Sequence, residues 1–185
     1  MARRIYDFGT PDRFVAGTVG SPGSRTFFLQ ATKGAAVVSV VLEKLQVRVL
    51  AERLAGMLEE VGRRGGIPRA TPEIARDSAP LAEPLMEAFR VGTITIGWDS
   101  ARNEVVVEAR AQVGEPEEEA AAAELDDDDP TGPDLVRVRL VPAAALAFAE
   151  RSLEVVGSGR PPCPLCGLPL DPGGHVCPRR NGYVH

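Results

Sequence analysis

All three cysteines and both histidines of this 185-residue chain fall in its last stretch: Cys163-Pro-Leu-Cys166, then His175-Val-Cys177, with His185 last. Thiolate sulfur and imidazole nitrogen are the donors of tetrahedral structural zinc sites. Cys163 and Cys166 have the C-x2-C spacing, which lets a tight turn aim two sulfurs at one ion. Gly167 follows, where a positive φ often closes such a turn. His175 and Cys177 are two residues apart, so an extended segment sends both side chains out of one face. The intervening Gly167-Leu-Pro-Leu-Asp-Pro-Gly-Gly174 is rich in turn formers that can fold one pair over the other. Zn2+ is therefore expected on Cys163, Cys166, His175 and Cys177. A Pro/Gly-rich segment this short gains little by burial, so the metal would supply its folding energy. His-x-Cys is a looser half-site than a second C-x2-C, and Asp171, His185 or water remain alternatives for the fourth place.

Other chemistries of the same residues fare worse. A Cys163–Cys166 disulfide would strand the third cysteine, and no signal-peptide core follows Met1. Pro162-Cys163-Pro-Leu-Cys166 matches half of a zinc-deaminase signature, but the upstream H-x-E is missing because no histidine precedes Cys163. A thioredoxin-like pair needs its first cysteine at a helix N-terminus, and prolines surround this one. Iron–sulfur sites usually take four cysteines.

In the body, Gly17-Thr-Val-Gly20-Ser-Pro-Gly23 looks superficially like a phosphate cradle, yet a strand follows it rather than a helix, and no lysine is near. Asp7, Asp12 and Asp99 sit near strand ends with nothing to bring them together. Glu150 and Glu154 have the spacing of an ordinary solvated helical pair. No catalytic residue is assigned.

Short β-rich runs cover Arg3–Phe8, Asp12–Val19, Arg25–Ala31 and Ala36–Glu43. A helix follows, with Leu50, Leu54, Met57, Leu58 and Val61 at helical spacing, and then a Pro-punctuated connection over Gly65–Pro84. Further strands are expected at Phe89–Trp98, Glu104–Val113 and Leu135–Val141. Pro142 then opens a second helix, with Leu146, Ala149, Leu153 and Val156 as its core face. The expected class is α+β: an antiparallel sheet of six or seven strands, two amphipathic helices and a short zinc-binding tail. The domain spans 1–157 and the tail 158–185. Strands followed by a helix occur twice, and Leu50-Ala-Glu-Arg53 echoes Phe148-Ala-Glu-Arg151; as a repeat signal, four residues are weak.

The net charge of −5 is unevenly distributed. Ten acidic residues and no basic ones lie between Gly114 and Asp134, leaving a basic surplus elsewhere. Such a stretch reads as a solvated, disordered insertion in a hairpin. No apolar run reaches transmembrane length, so a cytoplasmic chain that meets no membrane is expected.

Pro161-Pro-Cys-Pro-Leu-Cys-Gly167, Leu170-Asp-Pro-Gly-Gly-His-Val-Cys-Pro178 and Asn181-Gly-Tyr183 resemble the ending of an uncharacterised actinobacterial family, the domain of unknown function DUF3090. Tyr6-Asp-Phe8, Asp12-Arg-Phe-Val-Ala-Gly-Thr18, Phe89-Arg-Val-Gly92 and Trp98-Asp99 fit the same family. The resemblance brings no activity. It implies gene neighbours that are a phosphoglycerate-mutase-like phosphatase and a kinase-like protein, and hence a partner role. Three functions follow as expectations: a non-enzymatic adaptor with a zinc-stabilised tail, a nucleic-acid binder using Arg179, Arg180 and Tyr183, and a hydrolase with water on a zinc held by Cys163, Cys166 and Cys177.

Overall fold

The structure, a computed structural model, describes residues 3–65, 74, 77–114, 129, 131–159, 163–168, 170 and 174–179. The chain runs β1 (Ile5–Asp7), β2 (Arg13–Val19), β3 (Thr26–Lys33), β4 (Ala36–Leu42), α1 (Lys44–Arg63), β5 (Glu87–Asp99), β6 (Glu104–Ala111), β7 (Leu135–Leu140) and α2 (Pro142–Gly157). The α+β class and the two helices stand as expected, but the sheet is mixed rather than antiparallel. Its order is β1-β7-β6-β5-β4-β3-β2, with β4–β5 and β1–β7 parallel. The reason lies in the connections: the chain leaves β4, crosses through α1 and re-enters in the same direction, which a hairpin cannot do.

This sheet cannot be flat. Seven strands at ~4.8 Å spacing would hold the outer two about 29 Å apart. The chain from Asp7 to Arg13 reaches about 20 Å at full extension. β1 and β2 are therefore two pieces of one interrupted strand, and the sheet curls until its margins meet. Lys33, at the end of β3, donates to the Phe8 carbonyl at 2.7 Å, and the Arg139 amide, at the end of β7, donates to Gly9 at 2.6 Å.

The two halves repeat each other. β2-β3-β4-α1 and β5-β6-β7-α2 are each an antiparallel meander and a helix, and their registers coincide. Val47, Leu50, Ala51 and Leu54 are buried in α1 where Ala145, Phe148, Ala149 and Ser152 are buried in α2. Phe27, Leu29 and Ala31 of β3 occupy the core positions that Val105, Val107 and Ala109 take in β6. Across the outer face, Gln30 opposes Ser39 as Glu108 opposes Arg137. The β1–β7 pair Asp7/Arg137 stands where Glu87/Ser39 stands in β5–β4. The four-residue echo in the sequence is thus the visible part of a repeated βββα unit.

The helices pack side by side on the core face. α1 matches the expected phase. α2 matches it only in part: Ala149 is buried and Val156 packs against the core as expected, but Leu146 and Leu153 remain 45% and 40% exposed, and Ala145 and Phe148 face inward instead. Alanine permits the close approach that Leu146 would block, and Phe148 stacks on Phe14 at 4.6 Å, worth about 0.5–1.5 kcal/mol beyond its burial. In such an Ala-rich helix the leucines do not mark the buried stripe. No helix among the described residues is long and apolar enough to cross a membrane.

The connection preceding β5 is neither helix nor strand at residues 77–82, and it is fastened at two points. The buried Gln30 amide donates to Ser39 and to the Ala82 carbonyl and accepts from the Ala82 amide. Asp77 is gripped from both sides, by Arg13 (2.5 Å) and by Arg151 (3.0 Å). The hydrogen bond from Arg13 holds the Asp77 carboxyl below its ordinary pKa, outweighing the burial that opposes it.

A depressed carboxyl pKa stabilises the fold above the unfolded-state value of about 4, and that contribution is lost as pH falls through the folded value. Asp77→Asn should therefore cost on the order of 1 kcal/mol at pH 7, a figure discounted for partial exposure. In urea titrations the gap between wild type and variant should close as the pH is lowered; a gap independent of pH would contradict the charged clasp.

Candidate metal centre

The four expected ligands converge. One donor atom from each of Cys163, Cys166, His175 and Cys177 lies within 4.8 Å of all the others, so the cluster could hold a metal ion. Cys163 Sγ is 4.0 Å from Cys177 Sγ, and Cys166 Sγ is 3.3 Å from His175 Nε2. Cys163 and Cys177 are buried, while Cys166 and His175 are half-buried.

Local geometry explains the convergence. The Gly167 amide donates to the Cys163 carbonyl at 2.8 Å and the Cys163 amide donates to Leu168 at 2.7 Å, closing a tight loop that turns both sulfurs inward. Gly167 has φ +74, in the left-handed region that the loop requires. Opposite it, His175 and Cys177 point to the site while Val176 between them is 79% exposed, the alternation of an extended segment. Arg179 donates to the Leu165 carbonyl at 3.0 Å and ties the second pair to the first loop. That guanidinium is thereby engaged within the tail.

The Cys166 thiol resists ionisation in the company of the other two. A hydrogen bond from the Leu168 amide favours the Cys166 thiolate, but burial and the neighbouring Cys163 and Cys177 outweigh it, so its pKa lies above the ordinary thiol value. A divalent cation among the sulfurs would reverse that balance. His175 Nδ1 is buried without a hydrogen-bond partner among the described residues. Asp171, His185, Arg180 and Tyr183 lie outside those residues, as does most of the acidic 114–134 segment.

The body offers no comparable cluster of donors among the described residues. Asp12 accepts from the Gly34 amide, and Asp99 accepts from the Ala101 and Arg102 amides; both are turn residues. Asp7 accepts from Gly9 and lies near Arg137 and Arg139. Burial pushes Glu108 up, yet hydrogen bonds from Arg137 and Arg110 prevail and keep its pKa low, so it is a fixed anion rather than a proton shuttle. The Gly17–Gly23 segment leads from β2 into β3 as a plain turn. Sequence reading missed the Arg13–Asp77–Arg151 clasp, whose one signal was the repeated Ala-Glu-Arg on the two helices.

A family model described as "Protein of unknown function (DUF3090)" matches residues 6–177, a span that includes all four candidate ligands. No curated protein and no solved structure shows significant similarity to the chain.

An added Cβ at Gly167 would meet no described atom within 4 Å, so substitution there tests backbone conformation alone. Gly167→Ala should weaken divalent-metal binding about fivefold, corresponding to about 1 kcal/mol of left-handed strain. Competition against a chromophoric chelator measures this; unchanged affinity would mean that the loop does not need its positive φ.

Proposed function

We propose that this chain, which belongs to the DUF3090 family, is a non-enzymatic adaptor whose C-terminal tail is folded by one structural zinc ion. The observation that carries the reading is the Cys3His cluster itself. A tetrahedral ion with Zn–S of ~2.3 Å and Zn–N of ~2.0 Å sets S···S near ~3.8 Å and S···N near ~3.5 Å. The Cys163–Cys177 and Cys166–His175 separations of 4.0 and 3.3 Å bracket those values. Four protein donors fill a tetrahedron, which leaves no position for the water that a hydrolytic zinc site needs. With His175 taken as the fourth ligand, neither Asp171 nor His185 is required.

The adaptor half of the reading rests on what surrounds the site. Leu165, Leu168 and Val176 project from the cluster at 51%, 50% and 79% exposure, an apolar rim on a segment too small to bury it. Exposed aliphatic groups fixed on a rigid knuckle suit protein docking better than phosphate contact. The phosphatase-like and kinase-like neighbours implied by the family resemblance are the first partners to test. A cytoplasmic setting, where thiols stay reduced, suits the site.

Mass spectrometry of protein purified under reducing conditions should find one zinc in wild type and none in Cys166→Ser. The variant should keep the far-UV signature of the body and lose capture of whichever neighbour the wild type retains. Metal-free wild type would remove the zinc site, and capture unchanged in the variant would detach the tail from partner binding.

A further inference from the structure

The repeated βββα unit creates two equivalent grooves, and the described residues fill only one. In each, a helix runs beside the margin of the first strand of a meander. The groove between α2 and β2 is lined by Asp12, Arg13, Phe14, Ala147, Phe148 and Arg151, among others. Its counterpart between α1 and β5 is lined at the matching positions by Gly92, Thr93, Ile94, Val49, Leu50 and Arg53. The first is the smaller, ≈ 270 Å³ against ≈ 580 Å³.

What fills the first groove is on view. The segment Asp77–Ala79, turned on itself by a hydrogen bond from the Ala79 amide to the Asp77 carboxylate (2.9 Å), lies against it, and Arg151 is the anchor. Its guanidinium donates to the carboxylate of Asp77 (3.0 Å), to the Asp77 carbonyl, to the Ala79 carbonyl (2.7 Å) and to the Ala16 carbonyl on the margin of β2 (3.1 Å). One arginine thus joins an acid-bearing segment to a strand margin.

Arg53 stands at the position of Arg151 in the other half, on the same Ala-Glu-Arg run. It is exposed, and among the described residues it has no ion-pair or hydrogen-bond partner. Among the described residues no acidic side chain lines its groove. β5 is paired with β6 alone over Thr93–Asp99, so its other margin faces the groove; Ile96, at the place of Ala16, turns its carbonyl there. At the near end the Gln46 side chain already donates to the Val91 and Gly92 carbonyls at 3.2 and 2.9 Å, showing that this margin accepts amide donors. Leu45, Val49, Ile94 and Ile96 supply an apolar lining.

We infer that the α1–β5 groove is a binding site for an extended, acid-bearing segment of a partner protein. Arg53 holds the carboxylate and the β5 margin receives the main chain. The charge complementarity is the one the protein already uses on Asp77. An extended polypeptide suits this geometry because it brings donors and acceptors at strand spacing together with side chains for the apolar lining. The site deepens the adaptor reading, but it lies on the body and does not depend on the zinc tail.

The test is selection from a phage-displayed random nonapeptide library on the full-length, zinc-loaded chain, followed by affinity measurement on synthetic copies of the selected peptides. Enriched peptides should share an Asp or Glu next to alternating apolar residues. They should bind Arg53→Ala and Val49→Arg about tenfold more weakly than wild type, and they should slow hydrogen exchange at Ile94 and Ile96. Both substituted positions are at least partly solvent-accessible, and an unchanged melting temperature confirms that each variant folds. Peptides without acids, or equal affinity for wild type and both variants, would overturn the assignment. So would a concentration-dependent dimer in sedimentation that Arg53→Ala abolishes, which would give the groove to a second copy of the chain. Cys166→Ser should retain peptide binding. Loss of zinc effects with binding intact would sink the tail reading alone, and the reverse would sink the groove alone.

Discussion

The stretch between Asp7 and Arg13 is the constraint on which the rest depends. Six residues of reach cannot join opposite margins of a flat seven-stranded sheet, so the sheet curls and its core face becomes a trough. A trough lined by Phe14, Phe27, Leu29, Val107 and Val138 has to be filled, and two helices side by side do it. The ladder that follows is ordinary: buried aliphatic area drives collapse, and the curled shape decides where the helices can lie.

Repetition then produces sites as a by-product of packing. A helix laid next to a strand margin leaves a groove along the contact, and two equivalent halves leave two. They differ because the connection after α1 has somewhere to go. Ahead of β5, residues 77–82 anchor on the buried Gln30 amide and present Asp77 to Arg13 and Arg151. Asp77 matters less for its charge than for the arginines it satisfies, since an arginine packed against apolar neighbours and left unpaired is costly. Arg110 and Arg137 are answered in the same manner by Glu108 on the outer face. The body's basic surplus is thus partly consumed in fixed ion pairs, which weakens any argument for nucleic-acid binding from net charge.

The tail obeys different energetics. Among its described residues the buried side chains are Cys163 and Cys177, while Leu165, Leu168 and Val176 point outward. A segment arranged in this way gains little from the hydrophobic effect, and what assembles it is the convergence of donors through two local devices. These are the left-handed Gly167 loop and the alternation around Val176, both short-range and both independent of the body.

That independence explains what the sequence alone determined. Spacing and residue type sufficed for the convergence of the four Cys and His donors, because C-x2-C-G and H-x-C act through neighbouring backbone. Strand and helix positions were legible for the same reason: β2, β4 and β7 begin and end within a residue or two of where period and turn chemistry put them, and Pro142 and Gly157 bound α2. What only the tertiary structure decided is everything that needs distant partners. The parallel pairings β4–β5 and β1–β7 depend on where α1 delivers the chain. The buried face of α2 was set by close approach to β2, against the pull of Leu146 and Leu153. The four-residue echo pairs Arg53 with Arg151, but that the two stand beside equivalent grooves lies in register across strands and not in the letters. Local geometry travels with the sequence; long-range register is fixed only when the sheet closes.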